Sequence, residues 1–260
     1  MKRYIKTIWL FLYSAFCVEL EYRTNFFLAC LSSLLNLGGS VFALSLFFRI
    51  AGNLGGWRWE EALIVMGLFT FLDGIAAAWL RPNLSQIVRY VREGTMDFIL
   101  VKPFDSQVWL STRHVSVWGI PNILFGLALV FFAGARLHLS ALQYITAIPA
   151  IFFGTIILYS LWFLIAATSV FFVKVHNATF VLRSVLEAGR YPIGAYPTVY
   201  RLVFTFILPV AFLTTVPAET MLGRADAAGV VGMVVLAAIM FAGARFFWHF
   251  SLRHYSSASS

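Results

Sequence analysis

The chain has 260 residues, 12% of them charged and 61% apolar, with a formal net charge of +8 and a mean hydropathy of +0.85. A soluble domain carries about 25% charged and about 45–50% apolar residues, and here the apolar excess falls in long blocks, so a water-soluble fold is excluded. There is room for about six spans of ~20 residues and for no separate soluble domain. A nucleic-acid reading of the positive charge fails, because the basic residues sit between apolar blocks and not along one face.

Residues 4–20 carry Ile5, Ile8, Trp9, Leu12, Phe16 and Leu20 at helical spacing behind Lys2, Arg3 and Lys6. That pattern predicts a helix lying in the inner interface, with a short first span as the alternative. No small-x-small cleavage site follows, so the segment is read as retained. Cys17 and Cys30 are not a CxxC pair and read as small buried hydrophobes.

The first clear span is about 26–50, closed by Gly52, Gly55 and Gly56 with Trp57 and Trp59 as interface anchors. The second is about 62–80, ending at Arg81-Pro82, and the third about 115–133. The block 144–173 is too long for one minimal span and too short for two, so it predicts one long or tilted helix. A fifth block, about 202–222, is broken by Pro209 and Pro217. The sixth span is about 227–250. In domain terms, 1–24 is a connecting helix, 25–254 one six-span unit and 255–260 a tail, giving an all-α polytopic membrane protein. With both termini on one side, fifteen Lys and Arg residues fall there, and four (Arg49, Arg58, Arg136, Arg224) on the other. That bias places the fifteen in the cytoplasm.

Between the second and third spans, Leu84, Ile87, Val88 and Val91 recur at helical spacing, opposite Ser85, Arg89, Arg92 and Glu93. Gly94 then supplies a helix stop. A second amphipathic stretch sets Val181, Leu182, Val185 and Leu186 against Arg183, Glu187 and Arg190. Both are expected to face the cytosol, either as lipid anchors or as docking surfaces for a partner. Asp73 is the one acidic residue deep in a span, at a cost of ~2.5–3.5 kcal/mol. It reads either as a carboxylate on a substrate path or as a hydrogen-bond partner of a neighbouring helix. Pro209 and Pro217 free backbone carbonyls that must be satisfied again, which predicts a bent helix or re-entrant hairpin near the outer face, with Glu219 at its outer end.

No catalytic motif is present. GxxxxGK[ST], HExxH and GxSxG are all missing, and the five histidines are dispersed, so neither a nucleotide loop nor a metal site is expected.

The run Glu93-Gly94-Thr95-Met96-Asp97-Phe98-Ile99-Leu100-Val101-Lys102-Pro103 resembles a segment found after the second span in bacterial ABC transporter permeases of the ABC-2 type. Gly189-Arg190-Tyr191-Pro192, Tyr196-Pro197, Phe206-Ile207-Leu208-Pro209 and Val216-Pro217-Ala218 resemble a second hallmark of that family. The resemblance implies a half-transporter in the bacterial inner membrane. It would pair with a second permease, identical or homologous, and with two ABC ATPase subunits that carry ATP and Mg, leaving no cofactor on this chain. Leu84, Ile87, Val88, Arg89, Val91, Arg92 and Glu93 would form the coupling helix, with Arg183, Glu187 and Arg190 as a secondary cytoplasmic contact. Pro209, Pro217 and Glu219 would mark the outer re-entrant segment. The family implies efflux, with a drug-like or organic-cation cargo that Asp73 would suit; lipid-like or glycan-linked cargo stays open. A secondary carrier and a non-transporting membrane assembly protein are the competing readings.

Overall fold

A computed structural model describes residues 23–172 and 176–255. The N-terminal interfacial helix expected over residues 4–20, with Cys17, lies outside them, as does Lys174. The described residues are helical, with no strand among them beyond one isolated bridge between Leu54 and Trp57.

Helix α1 is Arg23–Ala51. Helix α2, Trp59–Ile75, opens with the Arg58 amide donating to the Glu61 carboxylate at 2.9 Å. A π-helical turn, Ala76–Leu80, joins α2 directly to α3, Arg81–Arg92. The second span therefore does not stop at Arg81-Pro82. Proline is tolerated at the first positions of a helical segment, and the helix runs on over Trp59–Arg92, 34 residues. That is about 50 Å, against about 30 Å of hydrocarbon, so the amphipathic stretch is the projecting end of the span and not a separate helix.

Two short helices follow, α4 (Asp97–Leu100) and α5 (Ser106–Thr112), then α6 (Ile120–Arg136) and α7 (Ala141–Ala167). Helix α6 starts later than the composition implied, after a 3-10 turn at Val117–Gly119. The long fourth block is one helix, as expected. The remaining helices are α8 (His176–Leu186), α9 (Thr198–Leu202), α10 (Ala211–Met221) and α11 (Ala227–Arg253). Five helices, α1, α2–α3, α6, α7 and α11, are long and apolar enough to cross a membrane.

The core divides along the bundle axis. At the end carrying Arg89, Arg92 and Lys102, Leu80, Ile87, Phe163 and Trp248 pack together. At the opposite end Leu44, Trp57, Met66, Ala147 and Met221 do so. Helices α2 and α6 hold the two halves through paired glycines. A Cβ on Gly67 would meet the Gly126 carbonyl oxygen at 2.9 Å, and one on Gly74 would meet the Gly119 carbonyl oxygen at 2.9 Å. Close approach of backbones through small residues is how helices associate where no hydrophobic drive acts between them.

The polar stretch before the fifth apolar block is not a cytosolic loop. Leu182 and Leu186 are buried in the basic-end core. Further on, the Gly189 carbonyl accepts from Thr214 at 2.7 Å and the Ile193 amide donates to Thr215 at 3.2 Å. Tyr191 packs on the opposite-end core. A Cβ on Gly194 would stand 2.9 Å from the carbonyl of Gly55, itself held at φ +60 in the far turn. Residues 176–195 thus run from the basic-end core to the opposite end of the bundle.

The block 202–222 instead folds back. Its arms Thr198–Ile207 and Ala211–Met221 meet at 98°. Leu208 is extended at φ −119, ψ 96, as the residue before a proline prefers, and Pro209 offers no N–H to continue the helix. Met221 lies in the far core, and Arg201 donates to the carbonyl of Gly194 at 3.0 Å, so both arms start from the same end. Arg201 belongs to that far end and Arg190 to the middle of the bundle, which reduces the basic asymmetry that the loop assignment implied.

Candidate functional site

Two features could serve a function: a polar cavity inside the bundle and a folded loop at its basic end.

Asp73 stands in the inner half of α2. The π turn carries an extra residue, so the residue eight positions on faces back along the helix. Arg81 Nη2 donates to Asp73 Oδ1 at 2.6 Å and to the Asp73 backbone carbonyl at 3.0 Å. Asn122 Nδ2 of α6 donates to Asp73 Oδ2 at 2.9 Å. Both carboxylate oxygens are therefore occupied and the charge is matched by an adjacent guanidinium. The Asn122 bond is the contact with a neighbouring helix that was one of the two readings of Asp73. Asp73 also borders two adjoining cavities, which share Phe69 as well.

Arg183 and Glu187 edge the larger cavity beside Leu72 and Trp162, and Arg190 edges the smaller. Arg190 Nη1 donates to Asn36 Oδ1 at 3.2 Å and to Ser40 Oγ, both on α1, and its guanidinium lies 5.1 Å from the Phe69 ring centroid. Arg183 and Glu187 are exposed at the edge of the larger cavity, whereas Arg190 is half-buried against α1. The path of residues 176–195 along the bundle separates the three.

In the loop at the basic end, Leu84 and Ile87 are buried in the protein's own core, with Val88 and Val91 half-buried, while Ser85, Arg89, Arg92 and Glu93 are exposed. The apolar stripe of α3 is thus spent internally, and only its polar face is free to meet a partner. Gly94, at φ +67, ends the helix. Met96 and Ile99 turn inward, leaving Phe98 71% and Val101 82% exposed at the tip of the loop.

Helix α5 fastens this loop to the bundle. Asp105 caps it, accepting from the Val108 amide at 3.0 Å, and receives Arg245 of α11 at 2.9 Å. Burial pushes the Asp105 carboxyl up, but the Val108 amide and the Arg245 guanidinium outweigh it and hold the group below its ordinary range. Trp248 Nε1 of α11 donates to Ser106 at 3.0 Å. The Tyr159 hydroxyl of α7 meets Ser111 at 2.8 Å and accepts from Gln107 at 3.1 Å. Trp79 donates to the Ser111 carbonyl at 2.6 Å, and buried Asn83 accepts from the His114 amide at 2.7 Å. Burial, with Arg113 and Arg89 nearby, keeps the His114 ring below its usual pKa. The loop is thereby tied to the second, fourth and last crossing helices. Only Asn83 and Gln107 hinted at this in the sequence, as polar residues beside apolar runs, and their partners are 31 and 52 residues away.

Pro209 marks the elbow, whose neighbours Leu208 and Val210 reach into the basic-end core, and Pro217 lies inside α10, which returns to the far end. Glu219 is half-buried, and its backbone carbonyl accepts from Arg224 at 2.8 Å. The buried acid there is Glu61, ion-paired with Arg224, whose guanidinium lies 5.6 Å from the Trp57 ring centroid. Among the described residues no three metal-ligating side chains gather.

A family description, "ABC-2 family transporter protein", matches residues 34–259. No curated protein and no solved structure matches the chain.

Proposed function

Because this chain belongs to the ABC-2 family of transporter proteins, we propose that it is the permease subunit of an exporter driven by a separate ATP-hydrolysing subunit. The observation that carries the reading is the loop 93–105, which follows the exposed Arg89 and Arg92, exposes Phe98 and Val101, and runs into α5, a helix bonded to three crossing helices. An apolar tip rimmed by charge is the anatomy of a docking surface. Its bonds to Tyr159, Arg245 and Trp79 supply the route by which a push from the cytosol would reach the membrane.

In this reading the basic end faces the cytosol in the inner membrane, and ATP and Mg are held by the partner, two copies of which serve a pair of permeases. Support for a second permease, identical or homologous, comes from α1. Only 11% of its apolar window is buried, Asn36 is exposed, and Gly38 and Gly39 have open space above them. A polar, small-residue face at mid-span is poorly suited to lipid and well suited to a neighbouring helix. ATP binding would close the ATPase pair, move the loops and rock the two permeases. That can move only a ligand bound differently in the two arrangements.

Purification in mild detergent is expected to bring down an ABC ATPase, with vanadate-sensitive ATP hydrolysis that depends on this chain. Phe98→Asp with Val101→Asp is expected to lose the ATPase while the permease stays in the membrane. Full ATPase recovery and wild-type transport from that variant would overturn the docking surface.

A further inference from the structure

Arg183 and Arg190 edge the two cavities with Asp73 and Glu187. The charge of Asp73 is matched by Arg81, which stands outside both linings, and its second oxygen accepts from Asn122. Arg190 uses only Nη1, on two neutral oxygens, and its Nε and Nη2 have no partner among the described residues. It does so beside the polar cavity formed with Asn36, Ser40 and Asn122. Arg190 is half-buried and has no carboxylate partner among the described residues, and its planar fork matches carboxylate, phosphate or sulfonate oxygens. The adjoining cavity, reached past Phe69 and Asp73, is walled by Leu72, Leu158, Trp162 and Leu213.

We propose that the two cavities together bind an amphiphile with an anionic head on Arg190 and an apolar body against Leu158 and Trp162. Calling this ligand the cargo rests on the transporter reading above; the binding site itself rests on the geometry. It departs from an organic cation held by Asp73, because the charge of that carboxylate is already matched by Arg81.

The test uses the full chain in phosphatidylcholine nanodiscs and follows tryptophan quenching by three amphiphiles of equal chain length: 9,10-dibromostearate, its methyl ester and its choline ester. The anion is expected to quench saturably and to lose that component in Trp162→Phe. Its affinity is expected to fall by roughly ten- to a hundredfold in Arg190→Gln and to survive largely in Arg190→Lys. Equal or tighter binding of the methyl or choline ester to the unaltered chain overturns the proposal, a comparison that stands even if Arg190→Gln does not fold. Repeating the titration in phosphatidylglycerol discs separates the sources. Displacement of the probe identifies an anionic membrane lipid as occupant, and no displacement identifies a free amphiphile. No ATPase is needed for this readout. A saturable anion site in a chain that recruits no ATPase would keep this inference and sink the transporter reading. The absence of the site in a chain that drives ATP hydrolysis would do the reverse.

Discussion

Gly67 of α2 and Gly126 of α6 lie backbone against backbone: a Cβ built on Gly126 would stand 2.5 Å from the Phe71 amide nitrogen and 2.7 Å from the Gly67 carbonyl oxygen. The atoms in the way are main chain and cannot swing aside. Gly126→Leu is therefore expected to cost about 1–3 kcal/mol or more by forcing the helices apart. Thermal unfolding in detergent would register it as a lowered midpoint. Gly232→Leu, where nothing lies within 4 Å, should leave the midpoint near wild type. Equal midpoints for the two variants would contradict the close packing.

Arg81 is held by Asp73, with the two side chains 24% and 26% exposed. Asp73→Asn leaves that guanidinium facing a neutral amide, and a loss of about 1.5–3 kcal/mol is expected. Arg81→Gln in the same chain should restore part of the loss, because the unmatched charge is then gone. Additive destabilisation in a double-mutant cycle would mean that the pair contributes nothing.

Tyr159 receives two side chains of α5, at the basic end of the bundle, through one hydroxyl. Tyr159→Phe keeps the ring stacked on Trp79 and removes only those bonds, at about 1 kcal/mol. If Tyr159 positions α5, the variant should still bind the ATPase yet lose most of the coupling between substrate and ATP hydrolysis. An unchanged ratio of transport to ATP turnover would assign the hydroxyl a structural role alone.

Acid should loosen the loop. Both the Asp105 carboxyl and the His114 ring have pKa values below their ordinary ones, so in each case the unfolded chain takes up a proton before the folded one. Stability is then full above the ordinary value of each group and falls as pH drops through it. His114 acts first, as pH falls below about 6.5, and Asp105 follows below about 4. Hydrogen exchange across residues 104–116 is expected to speed up over those intervals, and Asp105→Asn should abolish the lower step.

The climb of residues 176–195 makes a topological prediction. In a chain with Cys17 and Cys30 replaced by alanine, Thr198→Cys should react with a membrane-impermeant maleimide added outside intact cells. Phe98→Cys should react only once the membrane is opened. Labelling of both from the same side would return the stretch before α9 to the cytosol.

What could be read from residue order alone was whatever is additive along a short window. Partition of ~20 apolar residues into hydrocarbon is a local sum, so α1, α7 and α11 fall close to where the composition put them. A helix stop at Gly94 and the elbow at Pro209 are equally local, since each turns on the backbone freedom of one or two residues. The destination of a polar segment is not additive. Residues 176–195 read as a loop because their own composition is polar, yet Gly55, Ser40, Thr214 and Thr215 answer their backbone and side chains from elsewhere in the chain. The same holds for charge. The sequence offered Asp73 a partner on a neighbouring helix, but not the guanidinium of Arg81, which the π turn brings back beneath it. The apolar stripe of α3 looked like a docking face until Leu84 and Ile87 were packed against their own protein. Membership of the bilayer was set by composition. Which groups are left unanswered within it, Arg190 inside and Phe98 and Val101 outside, was decided only when distant helices met.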